Sequence, residues 1–236
     1  MRLLDITPCI SPRLGVFPGD TPFRLEVLRE LARGDNFGLS AVHSTVHLGA
    51  HADAPCHYPP GGPGIEACAL EPYLGPCEVV RVPLPRGSRV RPGDLPPATP
   101  RAPRILFRTD SFPDPEAWNP DFCSLSPELV AVLAERGVRL VGIDTPSIDP
   151  QEDRELRSHR AVGERGLAIL EGLMLGSVEP GLYTLIALPL PLEGADASPV
   201  RAVLLDDGGR SLAGPLLSPP PGDSSSASGP STPDPA

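Results

Sequence analysis

The sequence predicts an α/β domain built around a mixed β-sheet. Three observations point there. Apolar, β-branched runs of strand length recur from the start of the chain to about residue 206, a well-capped helix lies between two of them, and 236 residues suit one compact domain or at most two small ones.

In chain order, residues 2–6 read as a short edge strand. Pro8, Pro12 and Pro18 then break regular structure, and Phe17-Pro18-Gly19-Asp20-Thr21-Pro22 has loop chemistry. Residues 59–64 are proline and glycine apart from none other, so they form a loop. Residues 77–82 and 104–108 are apolar runs of strand length. The clearest helix covers residues 126–136: Ser126 can cap it, Pro127 sits at its first position and Gly137 can close it. Leu129, Val132 and Leu133 share one face of that helix. Leu140-Val141-Gly142-Ile143 follows as a buried strand, completing a strand–helix–strand unit. Residues 183–190 and 200–205 are further strands, and there is no internal repeat. Beyond Asp206 the composition changes. Residues 218–236 are almost entirely proline, serine, glycine, aspartate, threonine and alanine, too little apolar surface to offset the entropy of ordering. Residues 1–206 are therefore read as the folded domain, and residues 207–236 as a disordered Pro/Ser-rich tail.

Composition narrows the function. Only 4% of residues are aromatic, so aliphatic side chains must fill the core; all 20 basic residues are arginine. A net charge of −10 repels phosphate backbones and argues against nucleic acid as a partner. No apolar run approaches a membrane span, and Asp5 comes too early for a signal peptide. Five cysteines, an odd number without a CxxC pattern, fit reduced thiols in the cytoplasm better than a disulfide framework.

The chemistry concentrates in one segment. Four of the five histidines, His43, His47, His51 and His57, fall within fifteen positions; His159 stands apart. A lone histidine is usually an ordinary core or surface residue, but a cluster that includes a carboxylate argues for a cation. Gly49 and Pro55 speak against a helix carrying His47 and His51. In an extended chain His47, Gly49, His51 and Asp53 would line one face, with Val46, Leu48, Ala50 and Ala52 on the other. Gly49 would leave room for an ion between the two imidazoles, and Pro55 would end the strand and let His57 turn away. Burying imidazoles with a carboxylate is costly without a compensating cation, and this donor set suits zinc, manganese or iron. Candidates to complete such a site are His159 and Glu171, the latter alone in the apolar run Ala168-Ile169-Leu170-Glu171-Gly172-Leu173. A continuous helix from one to the other would hold them roughly 18 Å apart, so the chain must bend between them, and Gly163 and Gly166 offer the places.

With His47, Gly49, His51, Asp53, Pro55 and His57 the chain matches an H-x-G-x-H-x-D-x-P-x-H motif in full. By it, and by the segments 17–23, 44–55, 144–147, 168–172 and 196–201, the sequence resembles the bacterial kynurenine formamidase (arylformamidase) branch of the cyclase-like metal-dependent hydrolases from about Leu3 to Leu205. The resemblance implies a single α/β domain around a mixed β-barrel-like sheet with flanking helices (the swivelling β/β/α fold), commonly dimeric. It implies two zinc ions per subunit, with manganese as the alternative: His47, His51 and Asp53 on one, Asp53 and Glu171 bridging to a second that His159 also binds. It makes His57 the proton-transfer residue and places Phe17 in the substrate pocket. The implied reaction is hydrolysis of N-formyl-L-kynurenine to L-kynurenine and formate. Two alternatives stand beside it: a lactam-opening hydrolase of the isatin type using the same ligands, and a non-catalytic metal-binding protein. Cys56, on the parity opposite the ligand row, is read as a spectator and not a nucleophile.

Overall fold

The computed structural model describes residues 1–58 and 61–206; the tail at 207–236 and the two prolines at 59–60 lie outside the described residues. In chain order the regular elements are β1 (Arg2–Asp5), β2 (Arg24–Arg29), β3 (Leu39–His43), β4 (His51–Asp53), β5 (Leu74–Arg81), β6 (Arg89–Val90), β7 (Arg104–Arg108), β8 (Ser124–Leu125), α1 (Pro127–Glu135), β9 (Leu140–Ile143), α2 (Arg157–Arg165), β10 (Ala168–Glu171), β11 (Gly181–Ile186), β12 (Ala197–Pro199) and β13 (Val203–Asp206).

Nine strands form one mixed, strongly curled sheet in the order β1-β13-β11-β5-β7-β9-β10-β4-β12. The centre, β5-β7-β9-β10, is parallel, and antiparallel strands extend it on both sides. The strand–helix–strand unit from β7 through α1 to β9 is present as the sequence predicts, and β1 is an edge strand. Alternation along the central strands explains why both faces are apolar. Ile105, Phe107, Val141, Ile143 and Ile169 point to the face covered by α1 and α2, where they meet Leu129, Leu133 and Val162. Leu106, Leu140 and Leu170 point the other way and pack with Ile6, Ala50, Ala52 and Leu204.

Helix α1 begins as its sequence requires: the Ser126 hydroxyl accepts from the Leu129 amide at 3.1 Å, a cap whose removal typically costs about 1 kcal/mol. Its buried face holds Leu129, Val130 and Leu133, while Val132 is only half-buried, so the predicted stripe is rotated by one residue. Helix α2 ends at Gly166, which takes a left-handed conformation (φ 65°) and turns the chain into β10. That turn, and not Gly163 inside the helix, is the predicted bend. The two-stranded ribbon β2–β3 and the short strands β10 and β12 are additions to the sequence reading. All five cysteines are free thiols. Among the described residues, no helix is long and apolar enough to cross a membrane.

One backbone contact fixes how β10 meets the histidine segment. Gly172, just past the end of β10, has φ +66°, and a Cβ there would lie 2.1 Å from the Gly49 carbonyl oxygen. Gly34 has a similar φ of +88° but open space around it. Gly34→Ala should cost only the left-handed backbone penalty of about 1–2 kcal/mol. Gly172→Ala should cost clearly more, because the Gly49 backbone must move as well. Comparing the two by denaturant unfolding checks this, and equal losses would contradict the role given to the contact.

Candidate metal centre

The register of three strands assembles the site. β10 pairs antiparallel with β4 so that Ile169 faces Asp53 and Glu171 faces His51. Directly opposed residues on antiparallel strands share a face, so His51, Asp53 and Glu171 join Ile169 on the helix-covered side. Ala50, Ala52 and Ala54 turn into the opposite core. Helix α2 supplies His159 from its first turn. Asp149 holds that turn in place: its carboxylate accepts from the Ser158 and His159 amides at 2.9–3.1 Å, from the His159 ring Nδ1–H at 2.9 Å and from Arg89 at 3.1 Å. A carboxylate is favoured at a helix N-terminus by the exposed amides there.

All five residues expected to hold metal converge. The His47 Nδ1 lies 3.1 Å and the His51 Nε2 3.5 Å from Asp53 Oδ1. The His159 Nε2 lies 3.3 Å from Asp53 Oδ2 and 3.3 Å from Glu171 Oε1, and the other Glu171 oxygen is 3.3 Å from His51 Nε2. Two ligands on one tetrahedral ion, each about 2.0–2.2 Å from it, stand roughly 3.3–3.6 Å apart, close to the spacing found. The other ring nitrogens are anchored: His51 Nδ1 donates to the Gly49 carbonyl at 2.8 Å, His159 Nδ1 to Asp149, and His47 Nε2 faces Asp196 Oδ2 at 3.3 Å. Anchoring one imidazole nitrogen to an oxygen leaves the other as a lone-pair donor, the arrangement that orients metal-binding histidines. Among the described residues, His51 Nε2 and both Asp53 oxygens are buried without a hydrogen-bond partner. Such atoms are costly unless a cation engages them, and this donor set fits a divalent metal ion.

His57 sits in a 3-10 turn, Pro55–His57, that begins directly after β4. Its ring is tilted against His47 at 4.3 Å between centroids, its Nδ1 is 3.4 Å from Asp196 Oδ2, and one of its nitrogens falls within 4.8 Å of ligand atoms of Asp53 and His159. His43 is elsewhere, paired with Glu26 at 3.2 Å on the β2–β3 ribbon. A cleft of about 410 Å³ opens over the cluster, and Phe17 and Trp118 line it, packed edge to face at 5.4 Å.

Two sequence expectations need correction. Residues 47–53 are not one strand: only His51–Asp53 is extended, and residues 46–50 bend, with Gly49 at φ +60°. His47 therefore reaches the cluster from a bend and not by strand alternation. Nor does Gly49 leave space for an ion, since a Cβ there would meet Pro8 and Leu14 at 3.1–3.2 Å. Its left-handed backbone makes the bend and presents the carbonyl that anchors His51. Three residues of the site had no role in the sequence reading: Asp149, Asp196 and Trp118. Asp196 did stand in the segment 196–201 that carries the resemblance, but nothing in its spacing ties it to the histidines.

Electrostatics follow the geometry. Burial alone would lower the pKa of His47, but the Asp53 carboxylate 3.1 Å away, with Asp196 and Glu171, outweighs it and raises the pKa to about 9. Burial opposes ionisation of Asp53, yet His159 and His47 hold its carboxyl well below the usual range. Burial and the Asp53 charge likewise work against an ionised Glu171, and the His159 and His51 imidazoles, each 3.3 Å from it, reverse them. In metal-free protein, a raised folded pKa means that the His47 contribution to stability is fully present below the unfolded value of 6.5 and is lost as pH rises through about 9. Metal-stripped protein should lose roughly 1–3 kcal/mol across that window, read as a falling Tm in calorimetry. Metal-loaded protein should show no such slope, because its ligand nitrogens are already deprotonated. A Tm that is flat with pH in stripped protein would contradict the pairing.

The profile of the Cyclase family, described as "Putative cyclase", matches residues 4–150. The chain is 46% identical over 208 residues to a kynurenine formamidase of Bordetella avium (strain 197N), covering 88% of this chain and 99% of that one. A solved structure described as a potential metal-dependent hydrolase with cyclase activity superimposes with a TM-score of 0.75 at 27% identity, covering 86% of this chain and 96% of the other. Isatin hydrolase A from Labrenzia aggregata gives a TM-score of 0.72 at 23% identity, over 86% of this chain and 93% of that one, a likeness of fold. With its curled mixed sheet, its clustered histidines and carboxylates and these relatives, the chain belongs to the cyclase family of metal-dependent hydrolases.

Proposed function

We propose that this chain is a zinc-dependent kynurenine formamidase that hydrolyses N-formyl-L-kynurenine to L-kynurenine and formate, a step of tryptophan degradation. One observation carries the chemistry: three anchored imidazoles turn their free nitrogens onto the buried carboxylates of Asp53 and Glu171, and both Asp53 oxygens have no hydrogen-bond partner among the described residues. The substrate follows from the formamidase relative, which is matched over 99% of its length.

In this reading His47, His51 and Asp53 would hold one zinc ion, and Asp53, Glu171 and His159 would hold a second. Manganese is the alternative ion, since nitrogen and carboxylate donors suit both. Such ions, when bound, lower the pKa of water toward about 7 and stabilise the charge that develops on a carbonyl oxygen. Phe17 and Trp118 offer aromatic faces to the aryl ring of the substrate. His57 lies beside the ligands without belonging to the set and gives a proton to the departing aniline nitrogen.

The wider setting is also part of the proposal. The ribbon β2–β3 exposes Leu25, Val27, Leu28, Phe37, Leu39 and Val42 at 45–61% of their surface. Large apolar side chains exposed together on one ribbon and its loop are of the kind found at protein contacts, and they support a homodimer. Free thiols support a cytoplasmic setting. The acidic chain has neither nucleic acid nor membrane as a partner.

Turnover of formylkynurenine and of isatin, measured side by side with metal content, tests the substrate. Formylkynurenine should be preferred, and preference for isatin would move the assignment to lactam opening. Replacing His47, His51 or Asp53 with alanine should lower metal content and activity together. His57→Ala should keep the metal and lower kcat by roughly 10²–10⁴-fold. That loss should shrink for formanilides whose leaving amine is less basic. Metal lost with His57 would make it a ligand; equal loss on all amines would remove its role as acid.

A further inference from the structure

Asp196 stands just before β12, where β12 pairs with β4 and aligns Ala197 with Asp53. The Ala54 amide donates to the Asp196 carbonyl at 2.8 Å, so the backbone itself sets this residue beside the histidine segment. A single carboxylate oxygen, Oδ2, lies 3.3 Å from His47 Nε2 and 3.4 Å from His57 Nδ1. Hydrogen bonds at catalytic groups run long before substrate is bound and tighten afterwards.

The imidazoles at this centre obey one pattern. His51 donates Nδ1–H to the Gly49 carbonyl and His159 donates Nδ1–H to Asp149, each leaving Nε2 free. His47 follows the pattern with its nitrogens exchanged, Nε2 to Asp196 and Nδ1 toward Asp53. His57 has the same kind of anchor. Among the described residues, no Arg side chain lines the cleft to compete for the Asp196 oxygen.

We propose that Asp196 is a positioning residue that holds His57 as its Nδ1–H tautomer, leaving Nε2 to carry the transferred proton, and ties it to the ligand His47 through one shared oxygen. The inference rests on the proton-transfer role given to His57. Without the carboxylate, the two rings, 4.3 Å apart, lose their common acceptor. The His57 ring is then free to swap tautomers and rotate, and the nitrogen presented to the leaving amine is no longer fixed.

Two measurements on zinc-loaded protein test this. Long-range ¹H–¹⁵N NMR of the imidazoles should show His57 as Nδ1–H in the wild type and as Nε2–H or a mixture in Asp196→Ala. An unchanged His57 tautomer in the variant would overturn the proposal. This readout needs no substrate, so it stands even if formylkynurenine proves not to be turned over, which would sink the formamidase reading alone. The second measurement is a cycle on an aryl formamide. Asp196→Ala should lower kcat by roughly 10–100-fold, Asp196→Asn by less because an amide oxygen can still accept, and Asp196→Ala should add little to His57→Ala. Losses that multiply in full, or a loss explained by departed zinc, would overturn it.

Discussion

Two carboxylates and two imidazoles, those of Asp53, Glu171, His51 and His159, are buried together where β4, β10 and α2 meet, with the half-buried His47 beside them, and this cluster is the constraint that shapes the rest of the molecule. Isolated buried charge is expensive; pairing and hydrogen bonding must offset it. The chain meets that need with oxygens from near and distant segments. Gly49 anchors His51, Asp149 anchors His159 and Asp196 anchors His47, and the Ile148 amide donates to Glu171 at 2.6 Å. Even so, His51 Nε2 and the Asp53 carboxylate keep no hydrogen-bond partner. A divalent cation at that point relieves the cost, and protein groups alone do not.

The fold is organised to deliver those groups. The parallel centre of the sheet carries Ile169 and Glu171 outward on β10, and antiparallel β4 sets His51 and Asp53 against them. Helix α2 then crosses the same face with its first turn fixed by Asp149. The near contact of Gly172 with the Gly49 carbonyl closes the assembly, because a side chain at Gly172 would hold the end of β10 away from the bend that carries His47.

Much of this was legible in the sequence where the signal is local. Arg104–Arg108 and Leu140–Ile143 coincide with β7 and β9, and the Ser126 cap with Pro127 marks the start of α1. The alternation of His51 and Asp53 with Ala50 and Ala52 also holds, since these residues lie on or beside a true strand with both faces buried. The alternation fails at His47, where the left-handed Gly49 overrides an apparent strand period. The ribbon β2–β3 was hidden because its residues are largely exposed and lack the in–out pattern that marks a half-buried strand. Asp149 and Asp196 were hidden for a different reason. Each acts only through contacts across many residues of chain, 10 from Asp149 to His159 and 149 from Asp196 to His47, which no local period encodes.

The proposed function needs two ions at this cluster, with Asp53 serving both. Anomalous diffraction from zinc-loaded crystals tests it most directly. Two peaks are expected roughly 3.5–4 Å apart, one among His47, His51 and Asp53 and the other among Asp53, His159 and Glu171. A single peak, or a peak at His57 and Asp196 in place of the second position, would contradict it.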